Sequence, residues 1–135
     1  MMEVVSACLA GVACRYDGTA QAEPEVVEAV RQGKALPLCP EMLGGLPAPR
    51  EAAEIKAGRV VTATNVDLTE AFQKGAEIAT QIAILAGCRK AVLKARSPSC
   101  GCGRIYDGTF SGRLIDGDGL WAKELKKAGI EVSVR

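Results

Sequence analysis

The chain has no histidine, one tryptophan, two tyrosines and two phenylalanines among its 135 residues. The missing imidazole excludes zinc sites of mixed Cys and His ligation, and with them any Cys–His catalytic pair. With so few aromatics, the core has to be built from Val, Ile, Leu and Ala, a composition that suits buried parallel strands. A formal charge of +1 with no Lys/Arg block gives no electrostatic reason to expect a nucleic-acid polymer or an anionic membrane as partner. No apolar run approaches the roughly 20 residues of a membrane span. Glu3 and the short apolar run to Leu9 lack the charged start and cleavage site of a secretory signal. These absences predict a soluble cytoplasmic protein whose thiols stay reduced. Its six cysteines then read as metal ligands or reactive thiols rather than as a disulfide framework. The length suits a single domain, 1–135, with a real core.

Read in order, Glu3 to Leu9 predicts a first strand, followed by a turn-rich stretch through Gly11 and Asp17-Gly18. Pro24 opens a helix that Gly33 stops, and Ala35 to Cys39 is a second apolar run ended by Pro40. Gly44-Gly45, Pro47 and Pro49 mark a loop, and residues 54–64 a small hairpin turning at Ala57-Gly58. A long helix runs from about Thr69, its N-cap, to about Ala86, with Phe72, Ala76, Ala79, Ile82 and Ala83 as its buried stripe. Lys90 to Ala95 is the third core strand and Ile105 to Leu114 a second hairpin region. A last helix from about Asp118 to Ala128 leads into the strand Ile130–Val134. Strands alternating with helices predict an α/β fold, a mostly parallel, Rossmann-like sheet with helices on both faces.

On that reading Cys8, Cys39 and Cys100 each lie at or just beyond a strand end. Ligands of open parallel sheets bind beyond the carboxyl ends of the strands, so three cysteines far apart in sequence converge at one edge. Cys88, just past a helix and close to a buried strand, reads as a core residue. Cys14 and Cys102 remain open as spare ligands, neighbouring thiols or sulfur-handling nucleophiles. Three thiolates without histidine suit an iron–sulfur cluster or a soft metal such as zinc or copper(I). With three ligands on a four-iron cluster, one iron stays open to a substrate atom. Beside these cysteines stand Glu41, which either moves protons or caps a helix or pairs with Arg50, and Ser97, which either moves protons or shapes a turn together with Ser99. An internal echo relates Cys14-Arg-Tyr-Asp-Gly-Thr19 to Arg104-Ile-Tyr-Asp-Gly-Thr109. It describes either two unrelated tight turns or two tyrosine loops bordering one pocket.

Three blocks carry a resemblance. Ser6-Ala-Cys-Leu9 with Gly11 and Arg15-Tyr-Asp-Gly18 is the first, and Cys39-Pro-Glu41 with Gly44-Gly-Leu46 and Pro49-Arg50 the second. Ser97-Pro-Ser-Cys-Gly101 leading to Ile105-Tyr-Asp-Gly-Thr-Phe110 is the third. Together they resemble the bacterial domain-of-unknown-function family 523, whose characterised members are thiouracil desulfidases, over nearly the whole chain. The resemblance implies a 4Fe–4S cluster held by Cys8, Cys39 and Cys100, with Glu41 and Ser97 as catalytic acid/base residues. Tyr16, Asp17, Tyr106 and Asp107 are then expected to shape the substrate pocket. The implied reaction removes sulfur from a small thiolated base such as 2-thiouracil, the open iron taking the sulfur and water attacking the carbon. The alternatives are a non-catalytic metal-binding or redox-sensing module using the same cysteines, and a sulfur carrier bearing a persulfide on Cys14 or Cys102.

Overall fold

Four parallel strands, β1 (Glu3–Ser6), β2 (Ala35–Leu38), β5 (Lys90–Leu93) and β8 (Glu131–Val134), form a sheet in the order β2-β1-β5-β8. The computed structural model describes residues 2–135. Side chains alternate across the pleat. Val4, Ala91 and Leu93 face one layer, containing α3 (Thr69–Leu85) and α4 (Leu120–Lys127), whereas Val5 and Val92 face α1 (Pro24–Arg31). Trp121, Leu125 and Ala79 are completely buried in the first layer. Helices therefore cover both faces, as the alternation of elements predicts. Among the described residues no helix is long and apolar enough to cross a membrane.

Two antiparallel hairpins stand beside the sheet. β3 (Ala53–Lys56) pairs with β4 (Arg59–Thr62), and β6 (Arg104–Tyr106) with β7 (Leu114–Asp116). The first turns where expected, with Ala57 and Gly58 both at positive φ. In α3 the buried positions are Phe72, Gly75, Ala76, Ala79, Thr80 and Ala83, so Thr80 and Gly75 join the stripe while Ile82 stays half-buried.

Several boundaries differ from expectation, among them the end of the third strand, at Leu93 and not Ala95, and the start of the last helix, at Leu120 and not Asp118; three others have a plain local reason. β1 ends at Ser6, and Ala7–Ala10 form a 3-10 turn closed by Gly11, whose N–H bonds the Cys8 carbonyl. Cys8 thus sits in a tight turn past the strand, not within it. Pro40 ends β2 and also starts a one-turn helix, α2 (Pro40–Leu43), where proline at the first position costs no hydrogen bond. Thr69 does not cap α3. Its hydroxyl accepts the Val60 N–H from β4, and the Asp67 carboxylate accepts the Thr69 N–H.

α2 meets α3 backbone to backbone. A Cβ on Gly44 would lie 2.0 Å from the Ala71 carbonyl oxygen, and one on Gly75 would lie 1.8 Å from the Pro40 carbonyl oxygen. Both nearest atoms are main chain and cannot rotate aside. Gly75→Ala is therefore expected to cost about 3 kcal/mol by overpacking, read as a lower urea midpoint at constant slope. A loss below about 1 kcal/mol would mean that α2 yields freely.

Candidate active site

β1 lies between β2 and β5, so the chain leaves it in one direction and later returns on the other side. Crevices at such switch points bind ligands beyond the strand ends. Here the crevice is a cavity of about 570 Å3 whose walls include Cys8, Cys14, Cys39 and Cys100. Cys8 comes from the turn after β1, Cys39 from the junction of β2 and α2, and Cys100 from the loop after β5. Glu41, Ser97, Tyr16 and Tyr106 line the same cavity. All six cysteines are free. Cys88 is buried in the core beside Ala91 and Ile130, as its position suggests. Cys102 neighbours Asp118 and Lys126 instead of the cavity wall.

The loop carrying Cys100 is held by α4. Leu120 N–H bonds the Pro98 carbonyl, and the Trp121 and Ala122 N–H groups bond that of Ser99, so loop carbonyls satisfy donors that a helix start leaves free. Within the loop, the Ser97 Oγ accepts the N–H groups of Ser99 at 3.0 Å and Cys100 at 2.9 Å. The turn-forming reading of Ser97 is therefore realised in the structure, and the residue lines the cavity as well.

Arg50 organises the opposite wall. Its side chain is only 6% exposed, and it donates to the Glu41 carboxylate, to the Cys14 carbonyl at 3.0 Å and to the Pro47 carbonyl at 3.0 Å. Its own N–H bonds the Tyr16 carbonyl at 2.6 Å. Burial pushes the Glu41 carboxyl above its ordinary range, and the Arg50 charge and hydrogen bond oppose that. The pairing with Arg50 that competes with a catalytic role on sequence grounds is thus real, and it is located at the cavity.

The thiols are electrostatically linked. A hydrogen bond from the Cys14 thiol draws Cys39 below the ordinary thiol range, with the Met42 N–H adding to it, and the same bond drives Cys14 upward. Burial raises Cys8 and Cys100, while Arg15 and Lys94 pull Cys8 back. Lys94 itself is drawn down by burial and then by Arg15. Sequence reading singles out neither Arg15 nor Lys94. Lys94 follows directly on β5 at the switch point, and that placement was the available signal.

The echo resolves in both senses. Thr19 and Thr109 each bond their N–H and hydroxyl to the carboxylate two residues earlier, so Asp17 and Asp107 are consumed in matching turns. Those turns carry Tyr16 and Tyr106 to one cavity. Four of the chain's five aromatic side chains line it, with Phe72 and Phe110 the two that sequence reading leaves out of the site.

Among the described residues no three Cys, Asp or Glu side chains meet tightly enough for a single metal ion. Four free thiols, those of Cys8, Cys14, Cys39 and Cys100, line one cavity, and such a spread suits a polynuclear group better than a lone zinc. The donor set, all sulfur and no imidazole, agrees with an iron–sulfur cluster.

Comparison with known proteins places these features in a family. Residues 4–135 match the family model of 2-thiouracil desulfurase. An uncharacterised protein of Bacillus subtilis (strain 168), YbbK, is 43% identical over 141 residues, covering 97% of this chain and 93% of its own length. A solved structure of the [4Fe-4S]-dependent thiouracil desulfidase TudS superposes with a TM-score of 0.94 at 42% identity, covering 99% of this chain and 90% of that one. A match over nearly the whole length, with the same fold, settles the assignment: the chain belongs to the 2-thiouracil desulfurase family.

Proposed function

We propose that the chain is a desulfidase of the reducing cytoplasm that removes sulfur from a small thiolated nucleobase such as 2-thiouracil, using a 4Fe–4S cluster held by Cys8, Cys39 and Cys100. The observation that carries this reading is that three free cysteines from three strand ends share one aromatic-lined cavity with Glu41 and Ser97. The likeness to a desulfidase named for its [4Fe-4S] dependence supports the choice of cofactor. When bound, the cluster supplies an open iron, a Lewis acid suited to a thiocarbonyl sulfur.

The chain's own residues handle position and protons. Both acceptor positions of the Ser97 hydroxyl are taken by backbone N–H groups, so its proton is what it has left to offer a substrate atom. Arg50 engages Oε2 of Glu41, leaving Oε1 to take a proton from the attacking water. Water adds at the thiocarbonyl carbon, the carbon–sulfur bond breaks, and uracil and sulfide leave. Tyr16 and Tyr106 flank the ring, while Asp17 and Asp107 act on the substrate only by setting those tyrosines. A non-catalytic metal or redox module calls for a pocket without polar groups beside the metal, and Glu41 and Ser97 weigh against it.

The test is iron and acid-labile sulfide content with a visible spectrum on protein purified without oxygen, followed by turnover of 2-thiouracil. About four irons and four sulfides per chain, with uracil and sulfide formed in equal amounts, is the expected result. Zinc alone, or no sulfide from any thiolated base after full cluster loading, would overturn the reading.

A further inference from the structure

Three devices converge on residues 107–110. Asp107 folds the turn through its bonds to Thr109. From β3, the Glu54 Oε1 accepts the Gly108 N–H at 3.0 Å and the Phe110 N–H at 3.1 Å. A Cβ on Gly108 would lie 2.7 Å from the Lys56 Cβ and 2.8 Å from the Ile55 carbonyl oxygen, so the turn is pressed flat against β3. What these devices hold in place is Phe110, at φ +58°.

That is the left-handed region, where a bulky non-glycine side chain is disfavoured. Glycine at this position would remove the cost, so local backbone geometry does not account for a phenylalanine. Strained residues persist where their surroundings over-determine them, and they concentrate at ligand sites. Phe110 is half-buried and lines the cavity that contains Cys8, Cys39 and Cys100.

We infer that Phe110 is a substrate-binding residue whose ring stacks on the planar heteroaromatic ring of the substrate, and that Glu54 is the positioning residue that aims it. The inference takes its ligand class from the desulfidase reading, but stacking needs no turnover. An aromatic face recognises any flat base and reads nothing of its edge. Discrimination of the edge then falls to polar groups such as Ser97.

Calorimetric titration of uracil into the cluster-loaded protein, beside 2-thiouracil turnover, tests this. Phe110→Leu and Phe110→Gly are expected to bind uracil about tenfold more weakly, and Phe110→Tyr to bind it as the parent does. Phe110→Gly should also melt no lower than Phe110→Leu, because it relaxes the backbone. Glu54→Ala should raise KM for 2-thiouracil with kcat held within about twofold, and Glu54→Gln, which keeps an accepting oxygen, should restore KM. Parental uracil affinity in Phe110→Leu, or no uracil binding by the parent, would overturn the inference. Weakened uracil binding without sulfide release from any thiolated base would sink the desulfidase reading and leave the stacking role standing. Normal turnover with parental affinity in Phe110→Leu would do the reverse.

Discussion

Cys39→Ala is expected to abolish cluster binding and sulfide release together, while Cys88→Ala keeps both. The two residues are both free cysteines close to the sheet, yet their surroundings differ. Cys39 lines the cavity, its Sγ 3.9 Å from the Cys14 carbonyl oxygen, and its thiol is drawn toward the thiolate that a metal requires. Cys88 is packed among apolar side chains, and burial pushes its thiol up. Losing one of the three proposed ligands would expose a cluster to dissolution, whereas losing a core sulfur removes a small hydrophobe, at about 1 kcal/mol. Iron content and the visible spectrum of both variants decide the matter. Equal iron in the two would show that the ligand set is misassigned, with Cys14 the first candidate to replace Cys39.

The second large effect falls on the Glu41–Arg50 pair that lines the cavity. Glu41→Gln is expected to lower kcat about a hundredfold or more, with iron content unchanged. Arg50→Gln is expected to lose comparable activity for a different reason. It leaves a buried carboxylate without its partner, which costs about 3 kcal/mol of stability, and it frees both Glu41 and the Cys14 carbonyl. The arginine joins the Cys14–Tyr16 loop to the α2 segment through three hydrogen bonds from one residue. Arg50→Lys preserves charge but lacks the fork that meets two acceptors at once, so it should recover only part of the loss. Full activity in Glu41→Gln, with the cluster in place, would remove Glu41 from the chemistry.

Much of this was legible in the sequence because it depends on local pattern. Val4, Val5, Ala91 and Leu93 announce buried strands by composition, and the glycines after α1, α3 and α4 mark helix ends. Convergence of Cys8, Cys39 and Cys100 followed from parallel topology alone. Contacts between distant segments were not legible. Gly44 and Gly75 look like ordinary loop and helix glycines until α2 and α3 are seen touching main chain to main chain. Phe110 stands in the sequence only as the last residue of the third resemblance block, and its φ and the reach of Glu54 from β3 show that it is held there. Arg15 and Lys94 were hidden for a similar reason: Lys94 falls inside the expected strand Lys90 to Ala95 and Arg15 in a turn-rich stretch, and only the folded chain brings both to Cys8.

The strand order carries a last consequence, about how such an enzyme matures. Cys8, Cys39 and Cys100 lie on segments that come together only when β1 has paired with both β2 and β5, and the third arrives late as the chain is synthesised. The interior closes around Val4, Leu93 and Trp121, which owe nothing to a metal. In a zinc finger, by contrast, the chain folds around its ion. On the proposed ligand set, a cluster would enter a socket that the apolar core has already shaped, and a chain that lost it to oxygen would keep the fold needed to take it up again.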